Sequence, residues 1–390
     1  MRLTLLIPEL LWSEPGDTEA NAPAATSALA KILAQRHFAR QSNVGWESSL
    51  IQLAGLHADS ALAVLRLAGE TDWPTTVSAQ RPALSPDQTV SEDEACRWLC
   101  ADPVHLRFHQ DRLILADGQE LGLTREELHG LNARLNAAFA DRAEFFLFNP
   151  TRGYVRLIEP PQRRANGGQA LSRKIGCEVR PEDFGDDAEI RGLANEIQMF
   201  LHADPVNQQR ATQGLPAINA LWLWGSGEAP RVANPADQDR PDTIYGSHPL
   251  MHGIAQQLGL DAPTLEDRSP LSSPPARHAL CLLDALSTPT HYQNSLDYAA
   301  HWRTLDQTHL SPALKALRQW RLRQLHVIAP VVFGELHWQL KPLAGWPGPH
   351  QLLSRTGRKN WFDLINSLAT QTVPNTSAAQ RKSGSPRNTP

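Results

Sequence analysis

Apolar and polar positions along the chain sort into short runs whose period changes from segment to segment. Leu3–Ile7 is a continuous apolar run that reads as a first strand. Ser27–Arg36 carries Leu29, Ile32 and Leu33 at helical spacing, and Ser60–Leu67 places Leu62, Leu65 and Leu67 on a short face of the same kind. Residues 71–91 are rich in Pro, Ser and Thr and read as a linker. Val104–Phe108 and Leu113–Leu115 flank a polar tip at His109–Arg112, the pattern of a hairpin. Thr124, followed by Glu126 and Glu127, opens a helix to about Ala140 with Leu128, Leu131, Leu135 and Phe139 along one stripe. A second hairpin is expected from Glu144–Phe148 and Tyr154–Ile158. Two strand pairs around one helix predict a compact α+β insert over 91–165.

After residue 187 long helical segments alternate with fully apolar strands. Asp187–Ala203 carries Ile190, Leu193, Ile197 and Phe200 or Leu201 at helical spacing. Ile218–Trp224 is almost continuously apolar and stops at Gly225-Ser226-Gly227. Such a run suits a strand buried on both faces of a parallel sheet. His248–Leu258 is a helix, Ala279–Leu283 a buried strand, and Leu296–Arg321 one long helical region. Leu325–Val332 and Glu335–Leu340 complete the strands. The alternation predicts an α/β fold: a central, mostly parallel sheet flanked by helices, with the smaller α+β insert. The expected division is an N-terminal strand and helices (1–90), the insert (91–165), the main α/β domain (166–369) and a disordered tail (370–390), the last almost devoid of large apolar groups.

Composition narrows the function classes. With 37 basic against 41 acidic residues the formal charge is −4. Arg381, Lys382 and Arg387 lie in an acid-free tail, so the body is more acidic still. No electrostatic attraction to nucleic acid or an anionic membrane is expected. The sequence shows neither a signal-peptide pattern nor a spanning segment, and Cys96, Cys100, Cys177 and Cys281 have no metal-finger spacing. A reducing cytoplasm is the economical location. No phosphate-loop and no Gly-x-Ser-x-Gly elbow occurs. The basic residues Arg163, Arg164, Arg173 and Lys174 read as a surface loop, and Asp102 as a local backbone acceptor.

The most informative block is Asn195–Gly227. A helix ends near Ala203, Asp204-Pro205 starts another element, Asn207 and Arg210 fall one turn apart, and a strand then brings Trp222 and Trp224 to one face ahead of Gly225 and Gly227. Ligands of open α/β sheets sit beyond the carboxyl ends of strands. Asn207, Arg210, Asn219, Trp222, Trp224, Gly225 and Gly227 are therefore the candidate ligand-binding set, suited to a phosphorylated small molecule.

The arrangement Asp204-Pro-Val-Asn207, Arg210, Gly214, Asn219 and Trp-Leu-Trp-Gly-Ser-Gly227 resembles the archaeal-type cofactor-independent phosphoglycerate mutases of the alkaline phosphatase superfamily. Together with Ala101-Asp-Pro-Val-His-Leu106 it is still more similar to a bacterial family of phosphoglycerate mutase-like, pathogenicity-factor regulatory proteins. The resemblance spans roughly residues 95–320. It implies two divalent metals held by Asp and His at strand ends and a Ser or Thr nucleophile. Here the first strand runs into Pro8-Glu9 where the resemblance calls for Asp-Gly. The strand at 280–286 is followed by His291 but has Ser287 at the carboxylate position, with Asp284 three residues earlier. The late Asp-His pair is missing after Leu325–Pro330. Too few oxygen donors remain for Mg²⁺ or Mn²⁺. The expectation is a degenerate protein with no catalytic residues and no cofactor, in a regulatory or scaffold role. Two alternatives stay open: a metal-dependent mutase or phosphatase using Mn or Mg at Glu9, Asp284 and His291, and a protein-interaction module whose partner docks on the 95–160 insert.

Overall fold

The computed structural model describes residues 1–390 except 15–16, 36–38, 72, 75–80, 89, 162–166, 235–238, 272–275, 343–360 and 370–390. The tail expected to be disordered lies outside the described residues, as do Arg163 and Arg164 of the basic loop. The strands run β1 (Arg2–Leu6), β2 (Ala39–Gln41), β3 (Trp98–His109), β4 (Arg112–Ala116), β5 (Ala143–Asn149), β6 (Arg152–Leu157), β7 (Ala220–Trp224), β8 (Thr243–Tyr245), β9 (His278–Leu282), β10 (Gln324–Val331) and β11 (Gly334–Leu340). Two compact units result: one from 1–46 with 265–390, the other from 47–264.

The first unit is α/β. Its strands follow the order β2-β11-β10-β1-β9. β1 is parallel to both β10 and β9, while β10–β11 and β11–β2 are antiparallel. The apolar run that predicted β1 is explained by this central place, with Leu3, Leu5 and Leu6 almost fully buried. The helical region expected at 296–321 is interrupted. Helices Ser295–Leu305 and Ser311–Arg318 are joined by a π-turn at Asp306–Leu310, where the Ser311 N–H donates to the Asp306 carbonyl. Pro312 has no N–H to offer and its ring crowds the preceding turn, which accounts for the widening.

The second unit is α+β. β4-β3-β6-β5 form an antiparallel sheet, and β7 also pairs with β3. The twelve-residue β3 serves three partners along its length: β6 at Trp98–Cys100, β7 at Cys100–Val104 and β4 at His105–His109. The expectation of a parallel setting for Ile218–Trp224 is thereby corrected, because β7 is antiparallel to β3. Its continuous apolarity has another cause. Leu221 and Leu223 join a core with Leu131, Leu135, Ile190, Ile197 and Leu201, whereas Trp222 and Trp224 are buried on the opposite face.

That shared core also explains why the compact unit is wider than the 91–165 insert read from the sequence. Helices Arg125–Ala138 and Ala188–Ala203 contribute to the same apolar cluster on one side of the sheet. Both are capped as their sequences suggest, the first by a Thr124/Glu127 capping box and the second by Asp187.

Helix Leu62–Ala68 packs against helix Pro249–Leu258 within the same unit. The approach leaves no room for a side chain: a Cβ on Gly253 would fall 1.7 Å from the Leu65 carbonyl oxygen. Gly253→Ala should gain up to about 1 kcal/mol of helix propensity yet destabilise the protein by several kcal/mol through backbone overlap. Urea denaturation of the variant measures the balance, and an unchanged midpoint would contradict the packing.

Candidate functional site

The two sequence blocks that carry the resemblance meet inside the second unit. Asp102 of β3 and Trp224 of β7 are joined by a 2.7 Å hydrogen bond from the indole Nε1 to Asp102 Oδ2. Arg66, from helix Leu62–Ala68, donates to Asp102 through both terminal nitrogens, at 2.9 and 2.6 Å. Its Nε reaches the Tyr154 hydroxyl at 3.1 Å and Nη2 also reaches the Gly153 carbonyl at 3.0 Å. The guanidinium stands 4.7 Å from the Tyr154 ring centre and 5.3 Å from that of Trp224. Asp102 takes a further bond from the Gly153 N–H. Both ends of the pair are buried, Arg66 at 4% and Asp102 at 0% exposure.

The network continues outward. The Tyr154 hydroxyl donates to Glu70 at 2.7 Å, and Arg152 holds the same carboxylate with Nε and Nη2 at 2.8 and 3.0 Å. Burial alone would raise Glu70, but Arg152, Tyr154 and Arg66 outweigh it and hold the carboxyl below its usual range. Burial likewise opposes the Arg66 charge, and Asp102 overrides it, raising the guanidinium well above its ordinary value. Glu47, accepting from the Ser172 hydroxyl at 2.8 Å, is pushed up to about 7, chiefly by desolvation. His248 caps helix Pro249–Leu258 through Nδ1 and is pushed down to about 3 by burial and then by Arg66 and Arg152.

The seven residues of the expected ligand set all lie in this unit, and their polar atoms are engaged by protein. Asn207 donates to the Leu201 and Ile218 carbonyls and accepts from the Ile218 N–H, each at 2.7 Å. Arg210, 1% exposed, donates to Pro216, Glu127 and Leu121. Asn219 exchanges two hydrogen bonds with the Leu106 backbone. Trp222 donates to the Gln169 carbonyl at 2.8 Å. Gly225 and Gly227 admit the backbone of 59–63: added Cβ atoms there would stand 3.2 Å from Cys100 Sγ and 2.5 Å from the Asp59 carbonyl.

The residues expected near metal belong to the first unit, at the carboxyl ends of β1 and β9. Leu283 N–H bonds to the Leu6 carbonyl and Glu9 N–H to the Pro330 carbonyl, so both chain ends leave the sheet side by side. Glu9 is half-buried, adopts φ +56°, and is pushed up to about 8 by desolvation. Asp284 is raised by the same cause. The Ser287 hydroxyl is buried with no hydrogen-bond partner among the described residues, and His291 ends the short helix Ser287–His291. Among the described residues no group of three or more His, Cys, Asp or Glu could hold a metal ion. His326 and His337 face each other across β10 and β11 at 3.4 Å, with Glu335 on the far nitrogen of His337 at 2.7 Å.

No protein-family model matches the chain. Over 128 residues it is 29% identical to a "Probable 2,3-bisphosphoglycerate-independent phosphoglycerate mutase" of Geobacter sulfurreducens, 31% of either chain. Over 87 residues it is 31% identical to the 2,3-bisphosphoglycerate-independent phosphoglycerate mutase of Methanosarcina acetivorans, covering 21% of this chain and 22% of that one. The matched segments thus span less than a third of the curated relatives. Among solved structures, the PH0037 protein of Pyrococcus horikoshii matches with TM-score 0.50 and 13% identity over 94% of this chain and 97% of its own. The cofactor-independent phosphoglycerate mutase of Thermoplasma acidophilum matches at TM-score 0.39 and 14% identity, over 94% and 99%. The chain is a mixed α/β protein. In sequence it resembles the cofactor-independent phosphoglycerate mutases.

Arg66, Glu70, Arg152 and Tyr154 were not singled out from the sequence. A usable signal existed for Arg66, the one charged residue in Leu62–Ala68, a helix otherwise made of Ala, Val and Leu. Truncating one partner strands the other charge, so Asp102→Ala should cost about 3–5 kcal/mol. The double change Arg66→Met/Asp102→Leu should cost less than the two single changes together, a comparison that urea denaturation provides.

Glu47 offers a pH test. Its folded pKa of about 7 exceeds the ordinary glutamate value of 4.5, so its favourable contribution is complete below pH 4.5 and is lost as pH rises through 7. Glu47→Gln keeps an acceptor for Ser172 and should flatten this dependence, gaining up to about 3 kcal/mol at pH 8. Thermal melts of both proteins from pH 5 to 8 give the comparison, and parallel profiles would contradict the assignment.

Proposed function

We propose that this chain is a phosphoglycerate mutase-like protein that keeps the α/β scaffold without two-metal phosphoryl transfer and acts as a regulatory or scaffold protein. The observation that carries the reading is the donor count at the strand ends. A pair of divalent ions clamping an in-line displacement needs several oxygen ligands converging within about 4 Å, and no such group gathers among the described residues. The scaffold does not depend on those donors, because β1, β9 and β10 are registered by apolar burial and backbone hydrogen bonds.

The test is an assay of 3-phosphoglycerate and 2-phosphoglycerate interconversion by the full chain, with Mn²⁺, Mg²⁺ or Zn²⁺ supplied in turn. No conversion above the protein-free blank is expected with any ion. Conversion that disappears in Glu9→Gln or His291→Ala would establish the metal-dependent enzyme instead.

A further inference from the structure

The sheet of the first unit carries a row of polar side chains across four strands. Thr4 of β1 and His326 of β10 are partners in register, and the Thr4 hydroxyl lies 3.0 Å from Nε2 of His278 on β9. Across the β10–β11 ladder, His326 Nε2 meets His337 Nδ1 at 3.4 Å, and His337 Nε2 reaches Glu335 Oε1 at 2.7 Å. The two imidazole centres stand 5.5 Å apart. Glu335 is buried and His326 half-buried, while the His337 side chain keeps 17% exposure, so the chain of groups ends within reach of solvent.

The ends of this chain dictate where its hydrogens sit. An ionised Glu335 can only accept, so His337 carries a hydrogen on Nε2. With both rings neutral, the bare His337 Nδ1 accepts from His326 Nε2–H. One added proton is accommodated: His337 then donates from Nδ1, and His326 shifts its own hydrogen to Nδ1 and accepts at Nε2. A second has no place, because two N–H groups would point at each other across 3.4 Å and two positive rings would lie side by side.

The surroundings of His326 act in the same direction. Burial first, then His337 and His278, and more weakly Arg2 oppose its charge; Glu335 favours it, and the balance pushes His326 down to about 4. Gln339, its direct partner on β11, is neutral. Helix Ser311–Arg318, which also packs on β10, buries Ala313, Leu314, Ala316 and Leu317 and has its two cations at Lys315 and Arg318. Because the folded value lies below the ordinary 6.5, the stability that His326 contributes is complete above pH 6.5 and is lost as pH falls to about 4.

We infer that Glu335, His337 and His326 form an acid-sensitive latch on the β10–β11 ladder, which holds one added proton, rejects a second, and so loosens the pairing of the two strands in acid. The latch lies inside the first unit and does not depend on whether phosphoryl transfer is retained.

Hydrogen–deuterium exchange of the full chain at pH 7.5 and pH 5, read by mass spectrometry on peptides covering 324–340, tests the latch. His326→Gln keeps a side-chain donor for His337 and removes the ring that titrates. Comparing two proteins at the same pH cancels the intrinsic pH dependence of amide exchange. Between pH 7.5 and pH 5 the wild-type ladder should lose about tenfold more protection than that of the variant. If His326→Gln does not fold, His337→Gln, which takes away the facing ring, replaces it and should shrink the loss in the same way. An equal loss in the two proteins, or an excess confined to peptides outside 324–340, would overturn the assignment.

Discussion

The buried pairing of Arg66 with Asp102 is the constraint around which the second unit is arranged. Two charges taken out of water are costly, and their mutual attraction offsets that cost only if the remaining hydrogen-bonding capacity is also met. Here it is met by groups from distant parts of the chain. Tyr154 lies 88 residues from Arg66, and Trp224 lies 122 residues from Asp102. A helix, β3, β6 and β7 must therefore all be in register before the charges are satisfied. Such a network contributes little net stability compared with apolar packing, yet it penalises any arrangement in which one member is displaced. Gly153 fits the same logic: its N–H and carbonyl both bond to the pair, and an added Cβ would fall 2.3 Å from the Ala101 carbonyl.

The first unit is held differently, which separates scaffold from chemistry. β1 sits between β9 and β10 through parallel backbone ladders and apolar side chains, with no ionic group required in the strands themselves. Functional residues of this kind of sheet occupy the turns beyond the strand ends. Those turns, with Pro8, Glu9 and Ser287, lie beyond the last residues paired in the ladders. The left-handed backbone at Glu9 is tolerated because the neighbouring Tyr298 hydroxyl ties the Glu9 and Leu10 carbonyls, at 3.1 and 2.8 Å.

Most elements were legible in the sequence because burial imposes period. β9, β10, β11, both hairpins and the helices beginning after Thr124 and Asp187 follow from apolar spacing and capping residues. Strand direction was not legible for β7, since a strand covered on both faces reads alike whether its partner is parallel or antiparallel. The unit boundary was hidden for a related reason: β3 spreads its pairing over three partners, and no local pattern announces contacts more than 100 residues apart. The polar block at Asn207, Arg210 and Asn219 was conspicuous in sequence, but polar residues that satisfy buried backbone carry the same signature as ligand donors.

The two kinds of residue differ in which donors the fold leaves over. In the Asn207 to Trp224 block the side chains of Asn207, Arg210, Asn219, Trp222 and Trp224 donate to backbone carbonyls or carboxylates. At Arg152 only Nε and Nη2 have hydrogen bonds among the described residues, and the difference is geometric. A guanidinium that clasps a carboxylate through Nε and Nη2 presents its third nitrogen away from the clasp. Glu70 is fixed by Tyr154, and Tyr154 by Arg66, so the direction of Arg152 Nη1 is set by the same network that secures the interior. A donor whose orientation is already determined loses little freedom when it meets an anion. The interaction that organises the core of this unit therefore also sets the orientation of a guanidinium at its edge.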